Sequence, residues 1–231
     1  MAHILMSRGI LGEAKVIEKL SSIITSDLKV CYLALSYFKD QFINHQAYID
    51  CYSPQGEYYE KTINQFLNYG IKADQISWII DHVDDHDSAV KKIKEADILY
   101  FPGGAPDLFM KRIQSLGIKE IIEAHQGHFI GSSAGTMIQF KNYYITKDYD
   151  YKRFSYEEGL DLLTGFFVEV HYRRRVQQKK SMRKVYRAYH EPIFGLPDDG
   201  LIIVNKDEVE LVYPSSIIYG NKGIYRRKKG F

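Results

Sequence analysis

The segment Gly131-Ser132-Ser133-Ala134-Gly135 carries a serine between two glycines in the pattern G-x-S-x-G. In this pattern the serine lies on a sharp turn from a strand into a helix, and the small flanking residues leave room for neighbouring backbone. The apolar run before it and the helix-compatible residues after it fit that context. The pattern therefore predicts a serine nucleophile at Ser133, with a structural glycine-rich turn as the alternative.

A serine that attacks a carbonyl group also needs donors for the oxyanion that forms. The backbone N–H of Ala134 would supply the first. The preceding apolar run ends in Pro102-Gly103-Gly104-Ala105-Pro106. Loops that follow parallel strands open on the same edge of a sheet, so Gly104 or Ala105 is predicted to supply the second donor. The alternative is a turn in which Asp107 caps the next helix.

A serine hydroxyl is a poor nucleophile unless an imidazole removes its proton during the attack. Imidazoles suit this transfer because they titrate near neutral pH. On the residues alone, His171 serves equally well as a structural histidine on a strand. His125, His128 and His190 are rival bases.

Apolar runs alternate with segments of helical spacing through the first two thirds of the chain, which predicts a parallel sheet with helices on both faces. The later predicted strands are shorter. We expect one domain over residues 1–231, with a basic tail at 221–231. A helix at 88–95 is predicted to begin after Asp87 as its N-cap. The predicted strands are 3–6, 29–35, 76–80, 97–101, 128–130, 166–171, 193–196, 201–204 and 208–213, and the other predicted helices are 58–68, 107–114 and 118–125.

Four blocks in this order resemble peptidase family S51, which includes peptidase E and cyanophycinase. They are the turn at Gly103-Gly104, the Ser133 segment, Val170-His171-Tyr172 followed by Arg175, and Gly195-Leu196-Pro197-Asp198. The likeness spans roughly residues 1–220. It implies a three-layer α/β sandwich with a mainly parallel sheet, of the class I glutamine amidotransferase-like (flavodoxin-like) type.

The resemblance implies that Ser133 is the nucleophile and His171 its general base. Three carboxylates compete to orient the imidazole. Asp198 ranks first, although peptidase E has Glu at its position, then Asp148, then Glu169. Glu169 is expected to share a strand face with His171 because side chains alternate along a strand.

The resemblance also implies an acidic substrate, because peptidase E binds an Asp side chain with an Arg on the helix after the histidine strand. Arg183 is the nearest match, and Arg175 is assigned with it to substrate binding. A guanidinium can hold a carboxylate through two hydrogen bonds. Where peptidase E has Gly-Gly-Gly-Asn-Thr, this chain has Gly-Gly-Ala-Pro-Asp, so substrate choice is expected to differ.

The composition and charge of the chain argue against several other classes of protein. The chain has 231 residues, a net charge of +2 and two cysteines, which suits a reduced globular protein and not a disulfide scaffold. No apolar run is long enough for a membrane helix, no secretory signal is recognised, and a cytoplasmic location is expected. Residues 171–190 contain eight Lys or Arg and no Asp or Glu, but no nucleic-acid motif accompanies them. The acidic stretch 81–87 lacks metal-ligand spacing and is interpreted as a solvated loop.

The sequence thus predicts a serine peptidase that needs no metal or organic cofactor. It would cleave short, Asp-containing peptides through an acyl-enzyme, without nucleic-acid or membrane partners. An esterase or acyltransferase with the same serine turn is the first alternative, because esters and amides share this chemistry. A non-catalytic binding module is the second, and the sequence leaves a homodimer open.

Overall fold

The computed structural model describes residues 1–206 and 208–212 in full, and the backbone of Ser216–Tyr219. The predicted basic tail at 221–231 lies outside these residues. The described strands are β1 (Ala2–Met6), β2 (Val30–Leu33), β3 (Ile76–Ile79), β4 (Ile98–Phe101), β5 (His128–Ser132), β6 (Asn142–Ile145), β7 (Ser155–Glu158), β8 (Phe167–Glu169), β9 (Ile193–Gly195), β10 (Leu201–Asn205), β11 (Glu208–Leu211) and β12 (Ser216–Tyr219). The described α-helices are α1 (Ala14–Leu20), α2 (His45–Cys51), α3 (Glu57–Leu67), α4 (His86–Glu95), α5 (Pro106–Ser115), α6 (Lys119–Glu123), α7 (Ala134–Met137) and α8 (Val176–Tyr189).

The central sheet has seven strands in the order β11-β10-β1-β5-β4-β2-β3. The five strands from β1 to β3 in this order run parallel, and β10 and β11 add an antiparallel edge. Two small sheets, β12-β9-β8 and β6-β7, lie outside it. The carboxyl ends of β1, β4 and β5 are therefore adjacent, which is where α/β sheets place their binding sites.

Apolar side chains cover both faces of the central sheet, which is why its inner strands β2 and β4 are apolar throughout. Along β1, Leu5 belongs to one buried cluster, while Ile4 and Met6 belong to the other. The Leu5 cluster includes residues of α4 to α7, and the Ile4 cluster includes residues of α1 to α3. The expected three-layer α/β sandwich with a mainly parallel sheet is confirmed.

The predicted strands are present, most of them shorter by one to three residues. The predicted N-cap of α4 is wrong, because the helix begins earlier. The Asp85 side chain accepts a hydrogen bond from the Ser88 backbone N–H at 2.9 Å, and Asp87 lies in the first turn. Asp107 is not a cap either, since α5 has Ala105 at its N-cap without a side-chain hydrogen bond. The elements α1, α2, β6, β7 and β12 were not predicted.

Candidate active site

Ser133 lies between β5 and α7 in a strained conformation. Its φ is 49° and its ψ is −112°, a region that residues with a Cβ rarely adopt. The Ser133 N–H donates to the carbonyl of Met6 at the end of β1, at 2.9 Å. The Thr136 hydroxyl donates to the same carbonyl at 2.7 Å and accepts from the Met6 N–H at 3.0 Å. The turn is therefore fixed against the neighbouring strand.

Close backbone packing explains the two glycines of the turn. A Cβ on Gly135 would lie 1.8 Å from the carbonyl oxygen of Phe101 at the end of β4. A Cβ on Gly131 would lie 2.4 Å from the carbonyl oxygen of Gly135. Real Cβ atoms do not approach backbone so closely, so the spacing G-x-S-x-G follows from the contact between β4, β5 and α7.

The imidazole of His171 lies beside the Ser133 hydroxyl. His171 Nε2 is 2.9 Å from Ser133 Oγ, and His171 Nδ1 is 2.6 Å from Asp198 Oδ1. A carboxylate at Nδ1 favours the tautomer with its proton on that nitrogen, which leaves Nε2 to accept from the serine hydroxyl. The structure thus brings together Ser133, His171 and Asp198, the three residues ranked first from the sequence, in one hydrogen-bonded chain.

Asp198 holds its negative charge in this arrangement. Partial burial would raise the pKa of its carboxyl, but the hydrogen bonds from His171 and Arg173 and the favourable electrostatic interactions with these two neighbours outweigh burial and lower it. The Arg173 guanidinium donates to Oδ2, the oxygen that His171 does not use. Arg173 was not predicted as a site residue, although it lies only two positions after His171.

A network of backbone contacts places His171. The residue has a φ of 50° and follows β8 in a turn. Its N–H donates to Ser7 Oγ at 2.9 Å, and Ser7 Oγ donates to the Leu196 carbonyl at 2.7 Å. Its carbonyl accepts from Gln178 Nε2 at 3.0 Å, in the first turn of α8. Ser7 and Gln178 were not predicted as site residues. The signal that could have found Ser7 is a polar residue directly after a central strand.

The carboxylates of the other two candidate acids form hydrogen bonds elsewhere and not with the His171 ring. Asp148 closes a local turn, since its Oδ1 accepts from the backbone N–H groups of Asp150 and Tyr151 at 2.9 and 2.8 Å. Glu169 is buried and accepts from the Thr146 hydroxyl at 2.9 Å. The expected shared strand face is wrong, because β8 ends at Glu169 and the chain turns before His171. Burial raises the pKa of Glu169 to about 7.

The loop after β4 packs against the Ser133 turn. A Cβ on Gly103 would lie 3.2 Å from Ser133 Cβ, and Gly104 has a φ of 146°. The Ala105 N–H already donates to the Ser36 carbonyl at 2.6 Å, so Gly104 is the better placed of the two predicted donors. Ala134 is the first residue of α7, and its N–H has no acceptor within the helix.

Two clefts meet at Ser133, and Ser133 is the residue that lines both. We call the larger one, of about 720 Å³, the histidine cleft. Its lining includes His171, Gly104, Glu169 and Arg175. We call the smaller one, of about 230 Å³, the tyrosine cleft. It is lined by Ser7, Arg8, Gly9, Tyr32, Ser36, Tyr37, Gln41, Tyr52, Tyr58, Lys61, Thr62, Gln65, Tyr100, Pro102, Gly103, Ser132 and Ser133.

The structure does not bring Arg183 to Ser133. Arg183 is exposed on α8 and lines a separate surface cleft with Lys180, Lys184 and Arg187. The physical reason is that α8 extends 14 residues away from the His171 turn, so only its beginning is close to the site.

The rival histidines are also remote. His128 begins β5, and Ser133 follows five residues later along the extended strand, about 16 Å away at about 3.3 Å per residue. His125 precedes His128, and His190 caps the far end of α8. Within the described residues no group of three His, Cys, Asp or Glu side chains could hold a metal ion, and no helix is long and apolar enough to span a membrane.

Comparisons with known proteins agree with this geometry. The model of peptidase family S51 matches residues 34–212, which is more than half of the chain. A search of curated proteins finds no significant match. A crystal structure of a protein assigned to peptidase E from Listeria monocytogenes EGD-e has a TM-score of 0.61 at 15% identity, covering 91% of this chain and 96% of that chain. A peptidase from an acI-B1 Actinobacterium has a TM-score of 0.67 at 14% identity, covering 95% of this chain and 91% of that chain. At such identities the two structures show a shared fold, and the family match shows that this chain belongs to peptidase family S51 and is a serine peptidase.

Proposed function

We propose that the enzyme hydrolyses the amide bond of short, Asp-containing peptides through an acyl-enzyme on Ser133. The observation that carries the proposal is the hydrogen-bonded chain from Ser133 through His171 to Asp198. In this arrangement the hydroxyl, the base and the group that orients the base already have the distances that nucleophilic catalysis needs.

The first half-reaction forms the acyl-enzyme. Ser133 Oγ attacks the peptide carbonyl carbon while its proton passes to His171 Nε2. The Ala134 and Gly104 N–H groups stabilise the oxyanion. Asp198 stabilises the imidazolium, which then gives its proton to the leaving amine as the C–N bond breaks.

The second half-reaction releases the product. A water molecule enters where the amine left and gives a proton to His171 Nε2. Its oxygen bonds to the acyl carbon. The bond to Ser133 Oγ then breaks, and the serine recovers its proton from His171. The open histidine cleft leads directly to this point and gives water a route of entry.

The preference for acidic peptides is supported by the charges around the site. Arg175 lines the histidine cleft, and Arg8 and Lys61 line the tyrosine cleft. Guanidinium and ammonium groups that line a cleft favour an anionic substrate.

Steady-state hydrolysis of Asp-X dipeptides, compared with that of short acyl esters, tests the proposal. We expect cleavage of Asp-X dipeptides by the unmodified enzyme, none by Ser133→Ala, and unchanged rates in Ser115→Ala, a control at an exposed serine on α5. Turnover of esters without turnover of any peptide would instead identify an esterase.

We also propose a cytoplasmic location. Cys31 is buried and Cys51 is half-buried, and both are free thiols, as is usual in a reducing compartment. Cell fractionation with an antibody against the chain tests this, and recovery outside the cytoplasm would refute it.

A further inference from the structure

We propose that the tyrosine cleft receives the side-chain carboxylate of the substrate residue that acylates Ser133, with Lys61 and Arg8 as its cationic partners. This inference rests on the proposed function and names the specificity pocket for it. Lys61 and Arg8 then take the role first expected of Arg183, which lies in a separate surface cleft, in selecting an acidic substrate.

Position is the first argument. The tyrosine cleft reaches Ser133 past Gly103 and Ser132, while the histidine cleft reaches it past His171 and Gly104. When a peptide carbonyl lies at Ser133 Oγ, the groups on either side of that carbonyl can therefore occupy different clefts. The side chain next to the carbonyl can enter one, and the leaving amine must face His171, which protonates it.

Charge is the second argument. Of the described residues that line the tyrosine cleft, Arg8 and Lys61 carry charge and none is Asp or Glu. The histidine cleft is lined by Asp148, Asp150 and Glu169 as well as by cations. A carboxylate is thus attracted by the first cleft and faces nearby negative charge in the second.

The side chains that form the walls of the tyrosine cleft also suit a carboxylate. Tyr32 and Tyr100 are buried side chains of β2 and β4 that line the tyrosine cleft. Burial raises the pKa of both phenols, so they stay neutral and keep their hydroxyl protons at physiological pH. Neutral phenols do not repel a carboxylate, and a polar cleft of this kind suits an anion better than an apolar side chain.

Size is the fourth argument. The cleft of about 230 Å³ equals the volume of about eight water molecules at about 30 Å³ each. That space is enough for one short polar side chain together with several water molecules. The larger histidine cleft is left for the rest of the substrate.

Kinetics on matched substrates test the proposal. The rates compared are kcat/KM for an Asp-X dipeptide and for the Asn-X dipeptide of the same shape without the charge. We expect Lys61→Gln to lower the Asp/Asn ratio by about tenfold, Arg8→Gln with Lys61→Gln to lower it further, and Lys61→Arg to retain it. Lys180→Gln, on the separate surface cleft of α8, is the control and should leave the ratio unchanged.

Binding to Ser133→Ala provides a readout that does not need turnover. Calorimetry with the same two dipeptides should show tighter binding of Asp-X, and adding Lys61→Gln and Arg8→Gln should remove the difference. An Asp/Asn difference that survives these substitutions, or no difference at the outset, overturns the inference. Loss of hydrolysis in the unmodified enzyme with the binding difference intact would overturn the proposed function alone.

Discussion

Glu169→Gln should change how the stability of the protein depends on pH. Glu169 is 4% exposed, and burial raises the pKa of its carboxyl from 4.5 to about 7 against the opposing hydrogen bond from Thr146. The charge of nearby Asp148 acts in the same direction as burial. The rise from 4.5 to about 7 corresponds to on the order of 3 kcal/mol.

The direction of this pH dependence follows from the proton on the Glu169 carboxyl. The folded state holds the Glu169 proton more tightly than the unfolded state does. The stabilisation is therefore fully present below pH 4.5 and is lost as the pH rises to about 7. A glutamine has no proton to lose, so the variant should not show this loss.

Urea unfolding of the unmodified protein and of Glu169→Gln at pH 5, 6, 7 and 8 measures the effect. The difference in unfolding free energy should move by on the order of 3 kcal/mol in favour of the variant between the lowest and highest pH. Glu18→Gln, at an exposed carboxylate of α1, is the matched control and should give a flat difference. A flat difference for Glu169→Gln as well would refute the reasoning.

Two further predictions concern the catalytic chain and the turn that presents it. Asp198→Asn should lower kcat for peptide hydrolysis by about a thousandfold with little change in KM, because the amide no longer holds His171 in its working tautomer. Steady-state kinetics would contradict this if kcat stayed within a few-fold of the original. Gly135→Ala should destabilise the protein by on the order of 3 kcal/mol, because its Cβ would lie 1.8 Å from the Phe101 carbonyl oxygen. Thermal unfolding checks it against Gly12→Ala, where the nearest atom lies at 3.5 Å; equal midpoints for the two variants would contradict the packing argument.

The Ser133 turn could be predicted from the sequence because its constraints are local. Gly131 and Gly135 are required by contacts at the junction of β4, β5 and α7, and short apolar runs in β4 and β5 mark the strands that lead there. The parallel direction of the central strands followed from their alternation with helices, whereas their order in the sheet did not.

Contacts between distant segments could not be predicted in the same way. Glu169 was expected beside His171 because the period of two assumes a continuous strand, whereas the strand ends at Glu169. Ser7 holds the His171 N–H from the end of β1, far away in sequence, and Gln178 holds the His171 carbonyl from the first turn of α8; neither hydrogen bond follows from a periodic pattern. Arg183 was assigned to the site because of the family resemblance. Its distance from Ser133 depends on how far along α8 it lies, and the resemblance did not fix that position.

Labelling with a fluorophosphonate probe tests the central claim most directly, because the probe reacts with a serine only when a base activates it. Mass spectrometry of the labelled protein should locate the adduct on Ser133. Labelling should disappear in Ser133→Ala, fall strongly in His171→Ala, and persist in Ser115→Ala. A properly folded protein that takes up no probe at Ser133, or that labels equally well without His171, would contradict the account.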